Sequence, residues 1–501
     1  MFASIPSAVV RGVDGHSVTV EVHVGIGLPG LTLVGLPDTA CREARDRVRA
    51  ACLAAGAEWP NRRITVNLAP SDQRKAGSGL DLAIAVGVLV ASAQVKEEAV
   101  AGYAFVGELG LDGTVRPVPG TVPIVAALRS PRVVVPWAAA PDASLVDGPS
   151  VFGVATLRDL LAVLQEDEPW PPGPPPAPPP AEPAIPDLAD VRGQPVVRRA
   201  LEVAAAGGHH LLMVGPPGAG KTMLARRLPG LLPELDPTRS MEATRIRSAV
   251  GAPLAGMVRR PPYVAPHHTA TSASLVGGGT DPMRPGAVSR AHGGVLFLDE
   301  LAEFAPVVLD ALRQPLEEGT IRISRARFHA ELPARVLLIA AMNPCPCGEA
   351  GRPGACRCSD AARLRYRRRL SGPLLDRFDL RVDVLRPVVE ELLGTERGEP
   401  TEPVARRVAE ARRRAAARGV AANADLPPSR LDEVGPLGPA ARDVLATALR
   451  TGRLTGRGLD RVRRVALTLA DLAEEDGPIS AQHVAVALHL RADVGGLAVA
   501  A

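Results

Sequence analysis

The sequence predicts an α/β fold, and three observations support that prediction. Two short apolar runs, residues 211–214 and 295–298, have the length and composition of buried strands. The first run leads into a glycine-rich turn and then a helical pattern, and the second ends in two carboxylates. From about residue 402 the hydrophobic pattern is that of helices alone. We therefore expect an α/β core followed by a small helical lid.

Composition limits the class of protein. The 501 residues suffice for about three domains, and a net charge of +4 is too small to argue for nucleic-acid binding by itself. The first six residues lack the features of a signal peptide. The longest apolar run, from Leu82 to Ala93, is too short to span a bilayer. Six cysteines do not suggest a disulfide scaffold. We expect a soluble cytoplasmic protein with no membrane partner.

The turn after the first apolar run matches the phosphate-binding pattern G-x-x-x-x-G-K-T. Its glycines allow the backbone N–H groups to point at phosphate oxygens. Lys221 is then able to reach the β- and γ-phosphates, and the Thr222 hydroxyl to bind Mg²⁺. The chain has three lysines, and one of them stands here. The predicted ATP-binding residues of this loop are Gly215, Pro216, Pro217, Gly218, Ala219, Gly220, Lys221 and Thr222.

Polar residues also end two other predicted strands. Asp299 and Glu300 follow residues 295–298, and Asn343 follows a run ending at Met342. We expect Asp299 to hold Mg²⁺ and Glu300 to orient and deprotonate the attacking water. An asparagine in the position of Asn343 is suited to sensing the γ-phosphate, which is the sensor-1 role of AAA+ ATPases.

Between these strands, residues 320–325 and 334–340 alternate like two strands around a turn. Arg322, Arg325 and Arg327 would project from this hairpin. In ring helicases such a hairpin points into the pore and contacts DNA phosphates. The alternative is an ordinary solvated basic hairpin.

Four cysteines follow in a glycine- and proline-rich loop: Cys345, Cys347, Cys356 and Cys358. The C-x-C…C-x-C arrangement suits one tetrahedral structural Zn²⁺. The one-residue gaps are tighter than those of common zinc fingers, so free thiols are the alternative.

Two further arginines are candidates for phosphate contacts. Arg377 is our choice for an arginine finger, which is presented to the γ-phosphate of a neighbouring subunit. Arg457, in the helical region, is our choice for a sensor-2 residue that bends back to the phosphates, with Arg461 as the alternative.

We expect an N-terminal α+β domain in residues 1–165, a proline-rich linker in 166–184, the core in 185–390 with the four-cysteine loop at 345–358, and the lid in 391–501. The N-terminal segments around Ser78 and Gly120 resemble the proteolytic domain of Lon-type proteases, which has the fold of domain 2 of ribosomal protein S5. Ser78 lies near the serine position of that domain, although Gly79 is the alternative match. Residues 120–127 contain no lysine, so peptidase activity is not expected.

Taken together, these motifs resemble the YifB/ComM family of magnesium-chelatase-like AAA+ ATPases. Residues 190–194, 265–269, 275–279 and 371–377 carry the resemblance together with the phosphate loop, Asp299-Glu300 and the four cysteines. The resemblance implies a hexameric ring that binds single-stranded or branched DNA. It also implies a helicase that drives branch migration while incoming DNA is recombined during natural transformation. The alternative is a chelatase-motor-like ATPase that remodels a protein partner.

Overall fold

A computed structural model describes residues 1–71, 75, 77–166, 168–173, 184–278, 283–325, 328–350, 354–394 and 397–491. The chain forms an N-terminal region of mixed strands and helices, a core around a parallel sheet, and a helical C-terminal region. Within these ranges no helix is both long enough and apolar enough to cross a membrane.

The described residues of the N-terminal region form nine strands and six helices. The strands are β1 (Phe2–Arg11), β2 (Asp14–Gly25), β3 (Gly30–Val34), β4 (Arg63–Ala69), β5 (Tyr103–Phe105), β6 (Glu108–Leu109), β7 (Val115–Arg116), β8 (Arg132–Pro136) and β9 (Ser150–Val154). The helices are α1 (Thr39–Ala54), α2 (Asp81–Ala91), α3 (Glu97–Val100), α4 (Thr121–Ala127), α5 (Ala140–Ala143) and α6 (Leu157–Glu166).

Among the described residues, two larger sheets organise this region, and β6 and β7 form a separate antiparallel pair. The first has the order β1-β2-β4-β3, in which β3 pairs parallel to β4 and the other pairs are antiparallel. The second, β5-β8-β9, is parallel. Every residue of α2 is buried, so the apolar run from Leu82 forms a core helix. Asp38 caps α1, because its carboxylate accepts from the backbone N–H of Cys41 at 2.7 Å.

In the part of the core that the structure describes there are nine strands and ten helices. The strands are β10 (Leu211–Val214), β11 (Tyr263–Val264), β12 (Gly277–Gly278), β13 (Arg284–Pro285), β14 (Val295–Leu298), β15 (Thr320–Arg325), β16 (Phe328–Pro333), β17 (Leu337–Met342) and β18 (Leu380–Asp383). The helices are α7 (Pro195–Gly207), α8 (Lys221–Ala225), α9 (Pro237–Ala249), α10 (Ser272–Val276), α11 (Ala287–Arg290), α12 (Pro306–Asp310), α13 (Arg313–Glu318), α14 (Asp360–Arg367), α15 (Gly372–Leu375) and α16 (Val389–Leu393).

Five of these strands form one parallel sheet in the order β11-β14-β17-β10-β18. All residues of β10, β14 and β17 are buried, which is why their sequences are almost wholly apolar. Because the strands are parallel, the residues that follow β10, β14 and β17 meet at one edge of the sheet. We call it the carboxyl edge and the opposite one the amino edge.

The C-terminal region is helical, with α17 (Thr401–Ala417), α18 (Leu431–Val434), α19 (Pro439–Arg450), α20 (Gly456–Leu472) and α21 (Ala481–His489). Apolar residues of α17, α20 and α21 share one hydrophobic cluster with α7 and β10. The helices are thus packed against the core rather than separate from it.

The N-terminal region also contacts the core. The backbone N–H of Gly120 donates to the carbonyl of Ser248 at 2.9 Å, and that of Val122 donates to the Ser248 hydroxyl at 3.1 Å. The first residues of the predicted linker pack on the N-terminal region, because the Trp170 ring lies 4.5 Å from that of Phe152 and 5.5 Å from that of Tyr103. Residues 174–183, the proline-rich part, lie outside the described residues.

Candidate nucleotide site

The predicted phosphate loop lies at the carboxyl edge, between β10 and α8. Gly215 must be glycine, because an added Cβ would lie 2.2 Å from the carbonyl oxygen of Val384. Gly218 and Gly220 have φ angles of +76° and +88°, which glycine adopts readily. The loop therefore needs these glycines for its path.

Lys221 is buried at the start of α8. Its Nζ donates to the carbonyls of Gly215 and Pro216 at 2.6 and 2.9 Å and to Oδ1 of Asn343 at 3.2 Å. Burial lowers the pKa of Lys221, while the charges of Asp299 and Glu300 act in the opposite direction. The ammonium group thus stands among acceptors at the mouth of the loop.

The predicted magnesium ligands are adjacent. The Thr222 hydroxyl donates to Oδ2 of Asp299 at 2.6 Å, across the junction of α8 and β14. A hydroxyl and a carboxylate oxygen are the hard ligands that Mg²⁺ prefers. These two residues would hold the ion, which would neutralise phosphate charge.

Glu300 has an unusual backbone. Its φ and ψ of 51° and 46° are in the left-handed region, which costs a non-glycine residue about 1 kcal/mol or more. Its side chain is half exposed, and Oε2 lies 3.0 Å from Nδ1 of His268. The His268 ring lies against that of His267, with 4.1 Å between centroids. His268 lies in the motif of residues 265–269, but nothing in the sequence indicates its contact with Glu300.

The four cysteine sulfurs form a cluster beside this edge. All four lie within 4.8 Å of one another, and the Sγ of Cys345 is 3.4 Å from that of Cys347 and 3.7 Å from that of Cys356. Tetrahedral Zn–S bonds of about 2.3 Å place sulfurs about 3.8 Å apart, so the spacing fits a metal ion. Backbone hydrogen bonds from Glu349 and Arg357 lower the pKa of Cys347 to about 6, which favours a thiolate.

This cysteine loop touches the phosphate loop. A Cβ added to Gly348, which follows Cys347, would lie 2.4 Å from Cδ of Pro217. The same loop begins two residues after Asn343. The loop that carries the cysteine cluster therefore packs directly against the phosphate loop.

Arg377 lies at the amino edge, just before β18, and its Nη2 is 2.7 Å from Oε2 of Glu317. Arg461, on α20, donates to the Arg377 carbonyl at 3.3 Å and to Oδ1 of Asp379 at 2.6 Å. The exposed Arg457 is one turn earlier on α20. Arg461 therefore lies at the amino edge, whereas Lys221 lies at the carboxyl edge, and the sensor-2 role of Arg457 stays a prediction.

The predicted basic hairpin is present as β15 and β16, which pair antiparallel. The second strand is Phe328–Pro333 rather than 334–340, which leads into β17 of the main sheet. The mostly exposed Arg322 lies 3.3 Å from Glu318 and 3.7 Å from Glu331. Arg325 ends β15, and Arg327 lies outside the described residues.

Comparison with known proteins matches all three regions. Residues 187–392 match the family model "Magnesium chelatase, subunit ChlI", residues 20–138 match "Subunit ChlI of Mg-chelatase", and residues 398–491 match "Magnesium chelatase, subunit ChlI C-terminal".

Full-length relatives agree with these matches. The chain is 48% identical to an uncharacterized protein of Mycobacterium tuberculosis, with 97% of each chain covered. It is 42% identical to the uncharacterized protein YifB of Escherichia coli, over 96% of this chain and 95% of the relative. It is 43% identical to the competence protein ComM of Haemophilus influenzae, with 98% of each covered. The chain therefore belongs to the YifB/ComM family of magnesium-chelatase-like ATPases.

Proposed function

We propose that the protein is an ATP-hydrolysing ring motor that acts on DNA and promotes branch migration during recombination of incoming DNA. The observation that carries the proposal is the division of phosphate-facing groups between two edges of one sheet. Lys221, Thr222, Asp299 and Asn343 meet at the carboxyl edge, whereas Arg377 stands at the amino edge. A complete site then requires a second subunit, as in a hexameric ring.

Within one site, each residue has a role that follows from its chemistry. Lys221 binds the β- and γ-phosphates, and Asn343, which contacts it, senses the γ-phosphate. Glu300 removes a proton from the attacking water, and His268 orients its carboxylate. Arg377 of the next subunit offsets the charge that develops on the γ-phosphate. Arg457, which is exposed one turn before Arg461 on α20, is the proposed sensor-2 residue.

The DNA assignment rests on the hairpin and on a relative. Arg322 presents its charge on β15, with Arg325 and Arg327 beyond it in sequence, where phosphates would be bound. The word competence in the name of the Haemophilus relative favours a role with incoming DNA.

We infer that the N-terminal region is a Lon-like, ribosomal S5 domain 2-like domain without peptidase activity. The Ser78 hydroxyl donates to the carboxylate of Glu108. Lon-type proteases activate their serine with a lysine, but residues 120–127, the segment that would supply it, contain none and instead contact Ser248 of the core. We infer that the N-terminal region instead serves to bind the ATPase core, which it contacts at Ser248.

The test is ATP turnover by the purified protein without DNA, with single-stranded DNA and with a four-way junction. Lys221→Ala serves as the blank. Strong stimulation by DNA, weakened by salt, is expected. If none of these DNAs changes the rate of ATP hydrolysis, the DNA assignment is wrong. Remodelling of a protein partner is then favoured, and the match to the magnesium chelatase family model is consistent with that function.

Sharing of the site is tested by mixing two inactive variants. Arg377→Ala keeps an intact phosphate loop and Lys221→Ala keeps an intact arginine, so some interfaces of a mixed ring are complete. Recovery of turnover on mixing is expected. If mixing restores nothing, Arg377 does not act in trans.

A further inference from the structure

The main chain of Arg377 is held rigidly. Its N–H donates to the Leu374 carbonyl at 2.9 Å, and its carbonyl accepts from Arg461. Arg461 is itself fixed by the buried Asp379, and the next residue, Phe378, is fully buried. Only the side chain of Arg377 is therefore free to change position.

Within the described residues, the hydrogen-bond donors of the Arg377 side chain are not all paired. Its Nη2 pairs with Glu317, whose side chain is 60% exposed. Its Nε is buried, yet in the part of the chain that the structure describes it has no hydrogen-bond partner. Arg377 also lines a polar cavity of about 540 Å³ that contains Arg239 and Arg464. The guanidinium has both an unused donor and room to move.

Glu317 is placed between Arg377 and the basic hairpin. It lies in α13, which ends at Glu318; Gly319, with φ of +68°, follows the helix, and β15 begins at the next residue. Its neighbour Glu318 pairs with Arg322 of the hairpin at 3.3 Å. The last turn of α13 thus contacts the hairpin arginine on one side and the predicted finger on the other.

We propose that Glu317 is a positioning residue that holds Arg377 within its own subunit and competes with the neighbouring nucleotide for its guanidinium. The proposal rests on the proposed action of Arg377 in trans. DNA phosphate that binds Arg322 draws it away from Glu318, shifts the last turn of α13 and weakens the Glu317–Arg377 pair. A triphosphate carries more negative charge than a carboxylate, so the freed guanidinium transfers to it.

The experiment compares Glu317→Gln with wild type in ATP turnover with and without single-stranded DNA. An exposed ion pair of this kind changes an equilibrium by up to about fivefold, so turnover without DNA should rise by up to that factor. Stimulation by DNA should shrink correspondingly, with the melting temperature unchanged. Asp476→Asn is the matched control, since it removes an exposed pair with Arg414 on the C-terminal region. It should leave both rates unchanged.

The double variant Glu317→Gln/Arg377→Ala identifies the route of the effect. It should behave as Arg377→Ala alone, because Glu317 acts only through that guanidinium. If Glu317→Gln matches wild type while Arg377→Ala is inactive, the proposed competition by Glu317 is disproved, whereas the arginine-finger role of Arg377 is retained. If Arg377→Ala hydrolyses ATP normally, the proposed role of Arg377 itself fails.

Discussion

His268 Nδ1 lies 3.0 Å from Oε2 of Glu300, the carboxylate proposed to activate water. The Glu300 backbone is in the left-handed region, so the orientation of this side chain depends on its surroundings. A contact of this length between an imidazole and a half-exposed carboxylate contributes up to about 1 kcal/mol, or about fivefold in rate.

His268→Ala is therefore expected to lower kcat by up to about fivefold while KM for ATP stays within about twofold. His268→Asn retains a side-chain donor and should recover part of the loss. Steady-state turnover at saturating DNA measures both. A kcat of wild-type size in His268→Ala would show that the contact does not serve hydrolysis.

Glu300→Gln should bind ATP and hydrolyse it at least about 100-fold more slowly, because general-base catalysis contributes on this scale. Binding of a fluorescent ATP analogue and single-turnover hydrolysis separate the two steps. We also expect Glu300→Gln to lower the rate of ATP hydrolysis more than His268→Ala does. Normal turnover in Glu300→Gln would remove it from the catalytic role.

Cys356→Ser should lower the zinc content of the purified protein well below that of wild type, since a tetrahedral site needs all four sulfurs. Because Gly348 packs on Pro217, we also expect weaker nucleotide binding in this variant. Cys52→Ala removes a buried cysteine of α1 and should leave the metal content unchanged. Equal metal contents in Cys356→Ser and wild type would exclude the cluster as the site.

Asp379 joins the core to the C-terminal helices. Burial alone would raise the pKa of Asp379, but the hydrogen bond from His209 and the charges of His209 and Arg461 outweigh it and hold the pKa below its ordinary value. A carboxyl with a lowered folded pKa adds stability above its unfolded pKa of about 3.9 and loses it as pH falls further.

Asp379→Asn should thus reduce the free energy of unfolding at pH 7 by about 3 kcal/mol, because Arg461 and His209 lose a charged partner. Below about pH 4 the difference from wild type should narrow. Urea denaturation at pH 7, 4 and 3 measures this. A difference that is constant with pH would contradict the assignment.

The carboxyl edge was predictable because its residues directly follow apolar strands. Parallel pairing brings those strand ends together, so Lys221, Asp299 and Asn343 had to be near one another. The buried helix α2 was predictable from its unbroken apolar run. These features are local in sequence.

His268 and Glu317 were not predictable, because each is defined by a contact with a residue distant in the chain. The helix that carries Arg457 could be found from its pattern, but the edge on which it begins depends on packing of α20 against α7 and α17. The sequence likewise does not show that Trp170 packs on the N-terminal region.

That packing of Trp170 has a consequence for spectroscopy. The chain has three tryptophans, Trp59, Trp137 and Trp170, and all precede the core. Trp170 stacks near Phe152, and the Trp137 Nε1–H donates to the Pro172 carbonyl at 3.1 Å. Intrinsic tryptophan emission therefore comes from the N-terminal region alone, while the nucleotide-binding core contributes no tryptophan signal. A single tryptophan introduced into the core would add an independent signal, by which the unfolding of the two regions can be followed separately.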